Sequence, residues 1–152
     1  GPYGTYDGGR EKAPAAICRK VIESIENKSD TIDVWGDGEQ TRSFLYIDDC
    51  IEGTMRVFES DYQEVFNVGS EEQVSINQLI NKVENISNHK VKKNYQLDKP
   101  KGVRGRNSDN TKILTKLNWK PKFSLEEGLK ETYNWIVKDK KRNVSKSNFT
   151  LF

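Results

Sequence analysis

The stretch Trp35-Gly-Asp-Gly-Glu-Gln-Thr-Arg-Ser-Phe-Leu-Tyr-Ile-Asp-Asp49 constrains the fold more than any other part of the chain, because it predicts strand, tight turn, strand and helix start in fifteen residues. Residues 32–35 are short and β-prone, Asp37-Gly38 supplies the positive φ angles of a hairpin-like turn, and residues 41–47 return as a β-branched and aromatic run. Strand alternation puts Arg42, Phe44 and Tyr46 on one face and Ser43, Leu45 and Ile47 on the other. A guanidinium beside two aromatic rings suits an anionic, partly apolar ligand, since its planar donors match phosphate. A cross-strand ion pair is the equally weighted alternative on pattern alone.

On either side of this stretch the hydrophobic spacing predicts amphipathic helices. Residues 13–26 tolerate Pro14 in the first turn and carry a stripe of Ile17, Val21, Ile22 and Ile25. Lys12 stands at that helix's amino end, the wrong end for a cation in dipole terms, which eases loss of its proton; a solvated lysine is the plainer alternative. Asp48 or Asp49 can cap a helix to about residue 59, with Ile51, Met55 and Phe58 on one face. Residues 65–68 read as a short buried strand. The capping box Ser75 to Gln78 opens a helix to residue 87, followed by His89 as a surface cap and by an exposed strand over 91–97.

Arg104 and Arg106 then sit in a loop ahead of a short helix at 111–117, an arrangement suited to a diphosphate clamp and also found on plain basic surfaces. Ser124 to Glu127 boxes the start of a last helix that turns Leu125, Leu129, Tyr133 and Ile136 inward. Beyond residue 138 the Lys, Asn and Ser content predicts fraying, with 141–152 a disordered tail. Short strands alternating with helices make an α/β domain over residues 1–140, built on a small mixed sheet rather than a complete nucleotide-binding layer.

Composition narrows the function. With 152 residues and 34% hydrophobic content the chain supports one domain and a modest core. No apolar run reaches the ~18 residues of a membrane span, so no membrane partner and a cytoplasmic location are expected. Cys18 and Cys50 lie far apart without a CxxC pattern, which points to two buried thiols and no metal site. The net charge of +2 conceals a basic block over 90–122, where 11 Lys and Arg face only Asp98 and Asp109. Aromatic residues do not interleave with it in any nucleic-acid-binding signature, so no nucleic-acid partner is expected.

Trp-Gly-Asp-Gly, Thr-Arg-Ser-Phe and Tyr-Ile-Asp-Asp resemble the substrate-domain signature of the extended short-chain dehydrogenase/reductase family, the NAD-dependent nucleotide-sugar epimerases and dehydratases. The opening Gly8-Gly-Arg-Glu-Lys-Ala-Pro-Ala-Ala16 and the later Gly102-Val-Arg-Gly-Arg-Asn-Ser-Asp-Asn110 are most similar to the branch that epimerises GDP-mannose. The resemblance covers residues 1–140. It implies the carboxy-terminal substrate domain, without the half that binds the dinucleotide; that half carries a glycine-rich turn and a Tyr-x-x-x-Lys pair, and neither pattern occurs here.

The resemblance implies Glu11, Lys12, Ala13, Lys20, Gln40, Thr41, Arg42 and Arg106 as substrate contacts, with Lys12 as one of two acid/base groups. The implied reaction oxidises the sugar at C4, inverts C3 and C5 and reduces the ketone again. NAD is implied for the complete enzyme, a homodimer, and is not expected to bind this chain alone. A fragment of a related 4,6-dehydratase or 4-epimerase, or a standalone binding module without catalysis, are the competing readings.

Overall fold

The computed structural model describes residues 1–99 and 102–149, in which five helices alternate with four short strands. Helix α1 (Ala13–Glu26) starts behind Lys12, carries Pro14 in its first turn and buries Ile17, Cys18, Val21 and Ile22. Ile25, expected in the same stripe, lies at its edge and is 41% exposed. Strand β1 (Thr31–Trp35) alternates as expected, with Ile32 and Val34 inward. Helix α3 (Ile76–Ser87) follows an intact capping box: Gln78 N–H donates to Ser75 Oγ at 3.1 Å and Ser75 N–H to Gln78 Oε1 at 2.8 Å.

Helix α5 (Leu125–Phe149) brings Leu129 and Ile136 against the same apolar cluster. Leu79 and Ile80 of α3 are fully buried there, each worth about 2–3 kcal/mol of transfer free energy.

The α/β class holds, but the strands pair otherwise than a hairpin predicts. β1 runs parallel to β4 (Lys92–Gln96), with Thr31 opposite Lys92 and Trp35 opposite Gln96. β2 (Thr41–Ser43) runs antiparallel to β3 (Gln73–Ser75), a strand that local pattern did not reveal. The Asp37-Gly38 turn therefore carries the chain from one two-stranded sheet to the other. It is seated on the start of α3, where Asn77 N–H donates to Gly38 O at 3.0 Å and Asn77 Nδ2 to Asp37 O at 3.1 Å.

Helix α2 (Ile47–Phe58) belongs to a second, smaller layer with helix α4 (Thr111–Leu117). Asp49 does not cap its own helix: its buried carboxylate accepts from the backbone N–H of Lys122 and Phe123, both at 3.0 Å, and so clamps the incoming 119–123 segment. Gly53 allows close approach, since a Cβ there would sit 2.6 Å from Val68 Cγ1 and 2.8 Å from the Trp119 ring. Ile113 and Trp119 are buried in this layer, apart from the main cluster. Ile51, Met55 and Phe58 do share a face of α2, as their spacing predicts, but it points to solvent and Phe58 is 80% exposed. Residues 65–68 form no strand, and Val65 is exposed because no neighbouring strand is there to pair with it.

The fraying expected beyond residue 138 is not seen as an end of helix, since α5 continues through Phe149; residues 150–152 lie outside the described residues. Lys140 ties it to α1 through Glu23 at 3.3 Å and Glu26 at 3.0 Å, and Asn143 Nδ2 donates to Asp139 Oδ2 at 3.1 Å within the helix. His89 follows the left-handed Asn88 and donates its backbone N–H to Glu84 O at 3.2 Å, as a cap does.

The two cysteines differ. Cys18 is fully buried, and burial pushes its thiol up to about 12; Cys50, expected to be buried, is only half-buried because its stretch of α2 is covered on one side. Native alkylation at pH 8 is therefore expected to label Cys50 and spare Cys18, with mass spectrometry of tryptic peptides as the readout. Equal labelling would mean that α1 does not seal Cys18.

Candidate substrate-binding site

Three adjoining clefts surround β2, and the residues singled out in the sequence divide among them. One cleft of about 500 Å³ is lined by Arg10, Lys12, the 43–46 segment and Phe123. A second, of about 370 Å³, holds Glu11, Ala13, Lys20 and Gln40 beneath Trp35, over a floor that includes Ile32 and Ile80. The third, of about 350 Å³, holds Arg42 and Arg106 with Asn67 and Ser108.

The sequence placed Arg42 on one face with Phe44 and Tyr46, and the structure separates them. Pleated alternation ends with β2 at Ser43, so Phe44 turns toward the apolar cluster and Tyr46 rests on Phe123 with ring centroids 4.5 Å apart. Arg42 instead meets Arg106, and the means is backbone pairing. The 104–106 loop runs beside β2 as an added strand would, with Thr41 N–H donating to Arg104 O at 2.9 Å and Ser43 N–H to Arg106 O at 3.1 Å. Gly105 makes that approach possible, because a Cβ there would lie 2.8 Å from Thr41 Oγ1. Thr41 itself lines none of the three clefts; its contribution is this pairing.

Two arginines lining one cleft with Asn67 and Ser108 suit a dianionic group, although Arg42 Nη1 is already engaged by Thr41 O at 2.6 Å and the Asn67 and Ser108 side chains bond Asp109 O at 3.2 Å and Asn110 Oδ1 at 2.7 Å. Asn67 was hidden in the sequence because its surroundings read as a buried strand, and Ser108 because a serine after an arginine loop is commonplace.

In the second cleft Lys20 Nζ donates to Asp33 O at 2.6 Å, and burial, with Arg19 next to it, holds its pKa below the usual lysine range. The Glu11 carboxyl is held below the usual carboxylate range, first by its own backbone N–H and then by Arg19 against the cost of burial. Gln40 donates to Trp35 O at 3.1 Å while its Oε1 is buried without a protein partner. An unpaired acceptor in an apolar cleft is costly unless a ligand donor reaches it. Trp35, 56% exposed at its rim, offers a ring for stacking that strand pattern alone did not single out.

Lys12 lies between these clefts. Its carbonyl accepts from Ala16 N–H at 3.0 Å as the first bond of α1, so its backbone is fixed while its side chain lines the first cleft beside Arg10. The basic block is partly used elsewhere: Lys112 and Lys116 both pair with Glu64, pulling its carboxyl down to about 2, and lie over the rings of Phe66 and Tyr62.

Residues 3–132 match the family described as GDP-mannose 4,6-dehydratase. The chain belongs to that family. It is 46% identical over 148 residues to GDP-mannose 3,5-epimerase of Arabidopsis thaliana, covering 97% of this chain and 38% of that protein. To GDP-mannose 3,5-epimerase 1 of Oryza sativa subsp. indica it is 48% identical over 136 residues, covering 90% and 35%. Among solved structures, UDP-glucose 4-epimerase of Thermotoga maritima with UDP-glucose superposes with a TM-score of 0.81 at 31% identity, over 91% of this chain and 43% of that one. UDP-glucuronic acid 4-epimerase of Bacillus cereus, in complex with UDP-glucuronic acid and NAD, gives 0.74 at 33% identity, over 91% and 42%.

The chain thus spans well under half the length of these relatives. NAD does not fit the residues described here. A dinucleotide pyrophosphate needs a strand, a glycine turn and a helix amino end in succession. After β1, Gly36 and Gly38 lead instead into the turn toward β2.

Proposed function

We propose that residues 1–140 are the sugar-nucleotide-binding part of an NAD-dependent epimerase acting on GDP-mannose, a cytoplasmic enzyme that is a homodimer when complete. The observation that carries this reading is the convergence of Arg42 and Arg106 on one cleft, adjoining the clefts that hold Lys12 and Lys20. A diphosphate fits between the two guanidiniums, a base fits under Trp35 near Lys20 and Gln40, and the sugar then extends toward Lys12. NAD would be held by the other half of the enzyme, where it would supply hydride transfer to and from the sugar. What Lys12 does in this scheme is exchange a proton at a ring carbon next to a carbonyl.

The outward face of α2 supports a second half: Ile51, Met55 and Phe58 form an apolar stripe that a dinucleotide-binding unit would cover. A module that acts alone gains nothing from exposing it.

The clamp is tested by calorimetric titration of the chain with GDP. Arg42→Ala removes a charge-assisted contact of about 1.5–3 kcal/mol and is expected to weaken binding by about one to two decades. Arg56→Ala is the control, since Arg56 pairs with Glu52 at 2.9 Å and donates to Leu117 O at 3.1 Å, away from the cleft. Equal losses at both positions would mean general charge attraction and would remove the clamp.

A further inference from the structure

We propose that Arg19 is a positioning residue for the loop that carries Arg10 and Lys12 to the site. The spacing of the sequence does not single it out, although it lines the second cleft between Glu11 and Lys20. The case rests on where its three guanidinium nitrogens go. Nε donates to Tyr6 O at 2.9 Å, Nη2 to Glu11 Oε1 at 3.2 Å and Nη1 to Glu23 Oε2 at 2.8 Å, while Asp7 Oδ1 lies 3.7 Å from Nε. Two of these bonds grip the loop at points on either side of Gly8 and Gly9; the third anchors the fork to α1.

Gly8 and Gly9 have φ angles of 88° and 82°, and a Cβ on either would meet nothing within 4 Å. The two glycines thus have open space on their Cβ side, Gly8 N–H donates only to the adjacent Asp7 Oδ1 at 2.7 Å, and the clamp at the two ends of the arc limits its movement. The clamp is itself braced, because Glu23 also pairs with Lys140 of α5 at 3.3 Å, and the Arg19 side chain is only 17% exposed. At the far end of the arc the chain turns a corner: Glu11 lines the second cleft and Lys12 the first. Holding the Glu11 carboxylate therefore fixes the next residue, and with it the direction in which Lys12 leaves the backbone.

A lysine at position 19 would keep the charge and lose the fork, since a single ammonium does not reach Tyr6 O, Glu11 and Glu23 in one geometry. Arg19→Lys and, as a second variant acting from the other side, Glu11→Gln are the informative changes. Hydrogen exchange on the free chain is expected to show the amides of Gly8, Gly9 and Glu11 opening at least about tenfold faster in both variants, with Val21 and Ile22 inside α1 unchanged. Together with that change, Arg19→Lys is expected to weaken GDP-mannose binding by about tenfold in calorimetry, at a melting temperature close to that of the parent.

Loop exchange at the parent rate in both variants would overturn the proposal. So would a rise spread evenly over the loop and α1, which is the mark of a merely structural residue. The binding arm rests on the proposed function and the exchange arm does not: a parent chain that fails to bind GDP-mannose counts against that function, while loop exchange still decides the part played by Arg19.

Discussion

Lys12→Met in the complete enzyme is expected to lower turnover by roughly 10²–10⁴ while GDP-mannose affinity stays within about tenfold, because a positioned acid/base group acts in the transition state and contributes little to ground-state binding. Two structural facts support the size of this effect. The Lys12 backbone is the first acceptor of α1, with Ala16 N–H at 3.0 Å, so the side chain starts from a fixed point. Lys12 lines a cleft together with the 43–46 segment, and Ser43 of that segment also lines the cleft of Arg42 and Arg106, from which a sugar would arrive. Methionine has similar length and apolar bulk, so loss of packing does not confuse the result. Solvent deuterium incorporation at C3 and C5 is expected to fall in step with turnover. A Lys12→Met enzyme that epimerises and exchanges at close to the parent rate would reduce Lys12 to a surface lysine.

The largest stability effect is expected at Trp119. Its ring is 1% exposed and lies against Gly53, so Trp119→Ala leaves a cavity the α2 backbone is poorly able to fill. Large-to-small changes of this kind cost about 3–5 kcal/mol, which in a chain of this size lowers the melting temperature by roughly 10 °C. Trp119→Phe provides the internal comparison. The indole Nε1 is buried without a hydrogen-bond partner, so phenylalanine deletes an unsatisfied donor along with part of the ring and is expected to cost far less than alanine. Calorimetric melting decides it: an Ala variant within about 2 °C of the parent would show that the α2 layer contributes little to the folded state.

What was legible in the sequence follows how local each signal is. The capping boxes at Ser75 and Ser124 and the stripe of Ile17, Val21 and Ile22 depend on residues within two turns of one another, and these elements form where the spacing puts them. Strand pairing does not have that locality. Asp37-Gly38 has hairpin chemistry, yet β1 takes a partner some sixty residues later and the turn is used to change sheets. The same limit governs the clefts. Arg42 and Arg106 are joined by a loop lying along β2, and Arg42 parts from Phe44 because the strand stops one residue after Arg42. The stripe of α2 was read correctly as one face, but spacing says only that residues share a side, not which side is covered.

The burial of Ile113 and Trp119 outside the main apolar cluster has a consequence for the cleft that holds Lys12. α1, β1, α3 and α5 share one cluster, whereas Ile113 and Trp119 are buried outside it. The cleft is lined by Lys12 and by Leu129 of that cluster, together with Tyr46 and Phe123, which lie outside it. Tyr46 and Phe123 hold each other by ring contact, and Asp49, three residues after Tyr46, holds the 122–123 backbone by two bonds, so these residues form a single wall. A molecule that bridges Leu129 and the Tyr46–Phe123 wall would tie that wall to the main interior, and by mass action would stabilise the two together.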